Sequence, residues 1–234
     1  MLVFIIWNMN MTLQSDLVSS LRKLKANGLE IRTVYDIGAH VGTWTTQMKQ
    51  SVLIDADFYL FEGNSAYTET LASLGHFSHI GILSNPGRDE VEFYAGTDTG
   101  DSYYKESTKH YENKDPIKVP CRTLDSVIKE HSLPVPDFLK IDTQGSELDI
   151  LAGAESIIDK VDIVYLECPI INYNIGAPNI GDYIAYMKSK RFIPMDVLET
   201  HRSEEVLLQV DILFIHERAR NIVFGKNTHI KPFA

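Results

Sequence analysis

The chain has 234 residues, of which 22 are Lys or Arg and 32 are Asp or Glu, and its net charge at pH 7 is −10. Hydrophobic residues make up 44% and charged residues 23%, proportions that are ordinary for a globular protein and exclude a disordered chain. A general nucleic-acid binder needs a basic stripe to neutralise phosphates, so the negative charge argues against that class.

The two cysteines, Cys121 and Cys168, form neither a disulfide framework nor a metal-binding motif. A reducing, cytoplasmic location is therefore expected. The apolar segment 1–7 is too short to cross a bilayer and lacks the basic residues and cleavage site of a signal peptide. We therefore expect a soluble protein with no membrane partner.

The predicted elements begin with an amphipathic helix over 12–27, where leucines recur at helical spacing before Gly28. Apolar runs then predict strands at 33–37, 57–61, 77–83, 90–94, 137–141, 161–166, 192–198 and 206–215. Helical patterns lie at 43–49, 64–74, 147–158 and 179–190, and the segment 119–129 begins as a strand and continues as a helix. A polar loop is predicted over 96–115.

This alternation of strands and helices predicts an α/β fold with a mostly parallel sheet and helices on both faces. The last two strands are separated by a polar turn at 201–205, which is short enough to join antiparallel neighbours at one edge. The segment 217–234 carries four basic residues against one acid and is interpreted as a solvated tail.

The first candidate site is the segment Asp36–Gly42, which has the pattern D-x-G-x-x-x-G after a strand. Gly38 permits a tight turn, Gly42 permits close helix packing, and the next helix offers unpaired N–H groups. An acid in this turn would repel a pyrophosphate and attract a cation. This pattern disfavours a nicotinamide oxidoreductase, which uses G-x-G-x-x-G.

Glu62 ends the second strand, where a carboxylate can bind a ribose diol. A ligand with a ribose and a cationic head fits both Glu62 and Asp36, and S-adenosylmethionine is such a ligand. The alternative is an ordinary strand–turn–helix unit in which the glycines serve packing alone.

The second candidate site is the segment Asp137–Ala154, which reads DFLKIDTQGSELDILAGA. Lys140 and Asp142 share one face of a strand, and a lysine inside a parallel sheet is costly unless it is paired. Asp142, Glu147 and Glu167 are the candidate partners. Asp142 and Ser146 could also serve simply to cap the helix that follows, which would leave Lys140 unexplained.

This segment resembles the signature of the FkbM family of methyltransferases. VYDIGAHVGTW resembles the cofactor turn of that family, and FYLFEGNSAYTETL its ribose-binding segment. VPCRTLDSVI and DIVYLECPIINYNIGAP match in order before and after the signature, so the resemblance spans about 33–217. One departure is Gly63, where the family more often has proline.

The resemblance implies a seven-stranded class I methyltransferase fold that uses S-adenosylmethionine as cofactor. The expected domains are a helical extension over 1–30, the methyltransferase domain over 31–217 and a tail over 218–234. The implied reaction is methylation of a hydroxyl group on a sugar, glycan or secondary metabolite. Alternatives are methylation of a peptide amide nitrogen and a non-catalytic scaffold of the same fold.

Direct displacement from a sulfonium needs orientation and, for an alcohol, a general base. The predicted catalytic residues are Asp142, Lys140, Glu167 and His40. The predicted cofactor-binding residues are Asp36, Gly38, His40, Gly42, Thr43, Glu62, Gly63, Asn64, Ser84, Asp142 and Thr143.

An oxygen-rich magnesium site of Asp142, Glu147 and Glu167 is a further alternative. Because acids at strand ends also serve hydrogen bonding, no metal is assigned. Tyr103, Tyr104 and His110 in the polar loop, with Tyr173 and Asn174, could contact the substrate, although such a loop can also be a plain solvated connection. The partner is an acceptor of small-molecule, glycan or peptide type, and the oligomeric state stays open, with a dimer among the alternatives.

Overall fold

The structure, a computed structural model, describes residues 16–96, 100–107 and 115–224. The predicted features at 1–7, His110, Lys226 and Lys231 lie outside the described residues. The described strands are β1 (Thr33–Ile37), β2 (Asp57–Glu62), β3 (Phe77–Ile80), β4 (Ile82–Leu83), β5 (Glu90–Phe93), β6 (Ile117–Arg122), β7 (Phe138–Ile141), β8 (Ile163–Pro169), β9 (Phe192–Ser203) and β10 (Val206–His216).

The described helices lie on both faces of the main sheet. They are α1 (16–26), α2 (Thr43–Ser51), α3 (Thr68–Ser73), α4 (Leu124–His131), α5 (Glu147–Ala152), α6 (Ile180–Ser189) and α7 (Glu217–Phe224). Short 3-10 helices occupy Ser65–Tyr67 and Ile158–Lys160. Asn64 caps the first of these through the backbone N–H of Ala66, as predicted for the start of this helical segment. In the described part of the chain, we find no helix with the length and apolar character needed to cross a membrane.

The main sheet contains seven strands in the order β3–β2–β1–β7–β8–β10–β9. The first five in this order run parallel, and β10 runs antiparallel to both β8 and β9. This confirms the predicted mostly parallel sheet with antiparallel pairing at one edge. The strand order reverses between β1 and β7, so a ligand crevice is expected beyond the carboxyl ends of these two strands.

Two hydrophobic clusters fill the spaces between the sheet and its helices. On one face, α1, α2, α3 and α7 contribute the buried residues Leu21, Met48, Leu71 and Ala219. On the other face, α4, α5 and α6 contribute Val127, Leu151 and Met187. The N-terminal helix therefore packs on the sheet of its own chain through its leucine stripe.

A second, three-stranded sheet has the order β4–β6–β5 and was not predicted. The predicted single strand over 77–83 is wrong because the chain turns at Gly81, whose N–H donates to the carbonyl of Glu62 at 2.8 Å. Ile82 and Leu83 then pair with β6 instead of β2. This turn places Ile82 and Phe93 next to Gly63, where they form an apolar wall.

Other predicted boundaries also differ from those of the structure. The helix predicted over 147–158 ends at Ala152, because Gly153 begins a tight turn in which its N–H bonds to Asp149 and Ile150. His201 lies in β9 and not in the turn, since the hairpin continues to Ser203 with polar side chains. Residues 217–224 form α7 instead of a solvated tail, since Ala219 and Val223 pack in the core.

Candidate active site

The turn after β1 passes very close to the end of β7. Gly38 has a φ of 76°, and a Cβ atom at this position would lie 1.8 Å from the carbonyl oxygen of Asp142. Gly42 also has a φ of 76°, and its Cβ would meet Leu74 at 2.2 Å. Only glycine satisfies both the backbone conformation and the space. The predicted tight turn and close helix packing are both confirmed.

A buried lysine lies beneath this turn. Lys140 is 4% exposed, and its Nζ lies 2.9 Å from Asp36 Oδ1 and 3.6 Å from Asp142 Oδ2. The same Nζ donates to the carbonyl of Gly38 at 3.0 Å, and Thr45 donates to Asp36 Oδ2 at 2.7 Å. Burial alone would lower the pKa of Lys140, but the two carboxylates outweigh it and raise that pKa.

This arrangement corrects two predictions about the buried charges. Asp142 is a partner of Lys140 as predicted, but the nearest carboxylate is Asp36, and Glu147 and Glu167 form no ion pair with this lysine among the described residues. Asp36 was expected to face a cationic ligand. Its carboxylate is instead fully buried and neutralised by Lys140, so it holds the turn from below.

Glu62 ends β2 with its carboxylate inside the turn region. Oε2 accepts the backbone N–H of His40 at 2.7 Å, and Oε1 accepts that of Asn64 at 2.8 Å. Burial raises the pKa of Glu62, while these two N–H groups and the Lys140 charge lower it. The carboxylate is therefore fixed in one orientation, with lone pairs left over for a ligand.

The segment between β7 and α5 is built around a second buried acid, Glu147. Its carboxylate accepts the backbone N–H groups of Thr143 at 2.8 Å and Gly145 at 3.0 Å, and the hydroxyl of Tyr183. Burial raises the pKa of Glu147 despite these donors. Within this loop Gln144 has a φ of 55°, so the loop is tightly constrained.

A cleft of about 760 Å³, including its solvent-open part, lies over the carboxyl ends of β1, β2 and β7. The predicted residues that line it are Gly38, His40, Glu62, Gly63, Asp142 and Thr143. Apolar and aromatic side chains complete the wall, namely Ile37, Phe61, Tyr67, Ile82, Leu83, Phe93 and Ile150.

Several predicted site residues lie outside the lining of this cleft. Gly42 packs on α3, Thr43 is exposed at the start of α2, and Ser84 is buried with its hydroxyl 3.2 Å from that of Tyr103. Asn64 reaches the cleft indirectly, because it donates to Asp101 at 2.7 Å. Asp36, Lys140 and Glu167 also lie behind the lining.

The described part of the predicted polar loop, residues 100–107, folds over the cleft. Asp101, Ser102 and Tyr103 line it, and Ser102 donates to the carbonyl of Gln144 at 2.8 Å. The hydroxyls of Tyr103 and Tyr104 both donate to Asp149, at 3.0 and 2.8 Å. The two tyrosines are therefore fixed by hydrogen bonds in this conformation, and Tyr103 closes one side of the cleft.

Glu167 lies one strand further along and bonds to two amides. Its carboxylate accepts the side-chain amides of Gln144 at 2.7 Å and of Gln209. Burial, with the charges of Asp142 and Asp211, raises the pKa of Glu167 well above its ordinary value. Tyr173 donates to Gln144 at 3.3 Å, so this predicted substrate-contact residue serves the same network.

His40 lines the cleft and contacts Tyr67 edge-on, with ring centroids 4.3 Å apart. Burial lowers the pKa of His40, with Lys140 acting in the same direction and Asp101 and Asp142 opposing it. The imidazole is therefore neutral at pH 7. The backbone N–H of His40 donates to Glu62, and this structural contact does not involve the imidazole.

Gln144 is one of the site residues that were not predicted from the sequence. Its backbone carbonyl accepts Ser102 and the amide of Asn174, each at 2.8 Å, and its side chain bonds Glu167. Its presence inside the Lys-Ile-Asp-x-Gln-Gly-x-Glu string was the available signal. Ile82 and Phe93 carried no such signal, because they reach the cleft through the unpredicted second sheet.

Comparison with known proteins gives one family and several similar folds. The family model described as "Methyltransferase FkbM domain" matches residues 36–194, more than half of the chain. A search of curated proteins gives no match. The solved FkbM methyltransferase of Methylobacillus flagellatus KT is 17% identical with a TM-score of 0.48, over 78% of this chain and 43% of that chain. The chain thus spans less than half of that protein's length.

Two other solved structures are similar at lower identity. Magnesium protoporphyrin IX methyltransferase (ChlM) from Synechocystis PCC 6803, solved with bound SAM, is 11% identical with a TM-score of 0.49, over 88% of this chain and 78% of that chain. A putative O-methyltransferase from Klebsiella pneumoniae is 12% identical with a TM-score of 0.48, over 87% and 80% of the two chains.

The family match includes the turn at Asp36, the acid Glu62 and the whole segment from Lys140 to Glu147. The sheet order is that of the class I methyltransferase fold. The nicotinamide oxidoreductase alternative is set aside by this match. The chain belongs to the FkbM methyltransferase family.

Proposed function

We propose that this protein transfers a methyl group from S-adenosylmethionine to a hydroxyl group of a sugar, glycan or secondary metabolite. The observation that carries the proposal is the position of Asp142. Its side chain is 42% exposed at the carboxyl end of β7, it lines the cleft, and Lys140 holds it from behind at 3.6 Å. A carboxylate in this place can accept the hydrogen of an acceptor hydroxyl.

The residues of the cleft fit the cofactor that the family uses. The missing side chain at Gly38 lets the turn lie against the backbone of Asp142, and Gly38 itself lines the cleft. Glu62 presents a fixed, buried carboxylate that suits the two hydroxyls of a ribose, and Ile82 and Phe93 offer an apolar wall for a flat base. Bound in this cleft, S-adenosylmethionine supplies an electrophilic methyl group.

In the proposed reaction, S-adenosylmethionine held by Glu62 and the Gly38 turn would supply the methyl group, and Asp142 would hold the acceptor hydroxyl toward it. The hydroxyl proton passes to a carboxylate oxygen of Asp142 and from there to solvent. The products are a methyl ether, S-adenosylhomocysteine and one proton. The side chain thus contributes both orientation of the hydroxyl and removal of its proton.

The other predicted catalytic residues have supporting roles in this proposal. Lys140 is a positioning residue, because it lies behind the cleft and fixes Asp142 and the Gly38 carbonyl. Glu167 orients Gln144 through a hydrogen bond of 2.7 Å. His40 fixes Glu62 through its backbone N–H.

The test is a turnover assay that detects S-adenosylhomocysteine with a panel of acceptors. The panel contains mono- and oligosaccharides, polyhydroxylated natural products, and peptides that contain Asn and Gln. We expect turnover with a hydroxyl acceptor, and turnover with the peptides alone would overturn the acceptor class. Asp142→Asn should lower kcat by about 100-fold or more with the affinity for S-adenosylmethionine retained. The matched variant of an exposed acid, Asp55→Asn, should leave kcat unchanged.

A further inference from the structure

We propose that Glu167, His201 and Asp211 form a binding site for one divalent metal ion beside the cleft. The three residues, here called the β8–β10 cluster, come from β8, β9 and β10. One ligand atom from each lies within 4.8 Å of the others. Asp211 pairs with Glu167 on one side and with Glu199 on the other, and His201 is two residues from Glu199, so all four side chains share one sheet face.

Two buried atoms in the cluster contact each other as an ion pair that lacks hydrogen-bond geometry. Asp211 is 6% exposed, and neither its Oδ1 nor His201 Nε2 has a hydrogen-bond partner among the described residues. These two atoms nevertheless face each other at 3.4 Å. Because this buried contact is an ion pair without hydrogen-bond geometry, it points to a ligand that contacts both atoms.

The spacing of these atoms suits a shared ion better than a direct hydrogen bond. A charge-assisted bond between an imidazole and a carboxylate is about 2.7–2.9 Å long. Two atoms 3.4 Å apart, each about 2.1 Å from one ion, subtend an angle of about 108° at that ion, which is close to tetrahedral. Asp211 and His201 are therefore placed as two ligands of one metal.

The oxygens around these two atoms are already oriented by outer hydrogen bonds. Tyr165 donates its hydroxyl to Asp211 Oδ2 at 2.5 Å, which leaves Oδ1 directed at His201. Glu167 accepts amide groups from Gln144 and Gln209. Metal ligands in proteins are commonly held by such partners, which fix the lone pairs that face the ion.

The charges around the β8–β10 cluster favour a cation. Glu167, Asp211 and Glu199 are register partners across β8, β10 and β9, and Asp142 directly follows β7, the strand that pairs with β8. His201 Nε2 lies 3.4 Å from a carboxylate oxygen of Glu199 as well as from Asp211. Lys140 is already bound by Asp36, so His201 is the basic side chain in contact with Asp211 and Glu199, and a bound ion would add positive charge among these partly buried acids.

The ligand set indicates the kind of metal. One imidazole with two carboxylates suits first-row ions such as Mn²⁺ and Zn²⁺, whereas Mg²⁺ and Ca²⁺ prefer oxygen ligands alone. Gln144 connects the cluster to the cleft, because it lines the cleft and bonds Glu167. Any effect of the ion on methyl transfer rests on the function proposed above, whereas metal binding itself does not.

The test is calorimetric titration of the full, tag-free chain with MnCl₂ and with ZnCl₂ after removal of metals with EDTA. No S-adenosylmethionine or acceptor is added, so the outcome is independent of methyl transfer. We expect one site per chain with micromolar affinity for at least one of the two ions. Asp211→Asn and His201→Gln should each weaken that binding by about tenfold or more.

The matched control is Glu205→Gln, an exposed acid in the turn between β9 and β10, which should bind as the wild type does. Circular dichroism and thermal melting establish that each variant is folded. If Asp211→Asn does not fold, the partly exposed His201 provides the deciding variant. Absence of binding to the wild type, or unchanged affinity in the folded variants, would overturn the proposal.

Discussion

Lys140 Nζ lies 2.9 Å from Asp36 Oδ1, and this buried ion pair connects the turn after β1 to the strand that carries Asp142. Both side chains are almost completely buried, so neither charge has water to stabilise it. The pair holds two of the three strand ends that form the cleft. Because this ion pair lies behind the residues that line the cleft, it can orient those residues without contacting a ligand.

Removing the lysine should leave Asp36 as an uncompensated buried charge. Lys140→Met is expected to lower the free energy of unfolding by about 3–5 kcal/mol, and the double variant with Asp36→Asn should recover part of that loss. The exposed pair of Arg32 and Glu30 is the control, since Arg32→Ala should cost less than about 1 kcal/mol. Urea unfolding measures all of these values. Equal losses in the buried and exposed pairs would show that Lys140 has no structural role.

The close approach at Gly38 predicts a strong steric effect. Gly38→Ala and Gly28→Ala both place a side chain at positive φ, but Gly28 has open space around its Cβ position. Gly28→Ala should therefore cost about 1–2 kcal/mol, the strain of a left-handed alanine. Gly38→Ala should lower the free energy of unfolding by clearly more than Gly28→Ala does. It should also abolish binding of S-adenosylmethionine, because the added Cβ forces β7 and the turn apart. Similar losses of unfolding free energy in both variants would refute this account of the turn.

The neutral His40 imidazole predicts a particular pH dependence of stability. The folded-state pKa of His40 is lowered by burial from the ordinary value of 6.5. Below that value the unfolded chain takes up a proton that the folded chain does not, so the wild type loses stability as the pH falls through about 6.5. Asparagine tolerates the φ of 51° at this position, so the His40→Asn variant should lose less stability than the wild type over the same pH range. Unfolding at pH 5.5 and 7.5 provides the comparison, and an identical pH slope in both proteins would contradict it.

The sequence predicted the parts of this fold that depend on local pattern. The alternation of apolar runs identified the strands of the main sheet, and the acids at Glu62 and Asp142 were expected at strand ends, where the structure has them. Gly38 and Gly42 were identified as turn residues, because positive φ and close packing leave few other choices. The FkbM family resemblance was confirmed by the family match.

The contacts that join distant segments were beyond a single sequence. Lys140 and Asp36 are on different strands. No local signal in the sequence showed that the Asp36 side chain would be buried beneath the turn instead of facing a ligand. The wall made by Ile82 depended on a strand break at Gly81, whose N–H bond to β2 is a tertiary contact. His201 was placed in a turn, since polar residues in a hairpin resemble a loop when its pairing is unknown.

Glu62 provides the most direct test of the cofactor site. In Glu62→Gln, one amide N–H would face the backbone N–H of His40 or Asn64, because both carboxylate oxygens accept backbone donors. The ribose would also lose a charged acceptor, so the affinity for S-adenosylmethionine should fall by about 10–100-fold. Glu69→Gln, an exposed acid in α3, is the matched control and should bind as the wild type does.

The decisive measurement is calorimetric titration of S-adenosylmethionine and S-adenosylhomocysteine into the wild type and these two variants, with NAD as the comparison ligand. We predict binding of the first two at one site per chain, no binding of NAD, and the loss of affinity in Glu62→Gln alone. A folded wild type that binds neither sulfur compound, or a Glu62→Gln variant that binds as tightly as the wild type, would contradict the assignment of this cleft to the methyl donor.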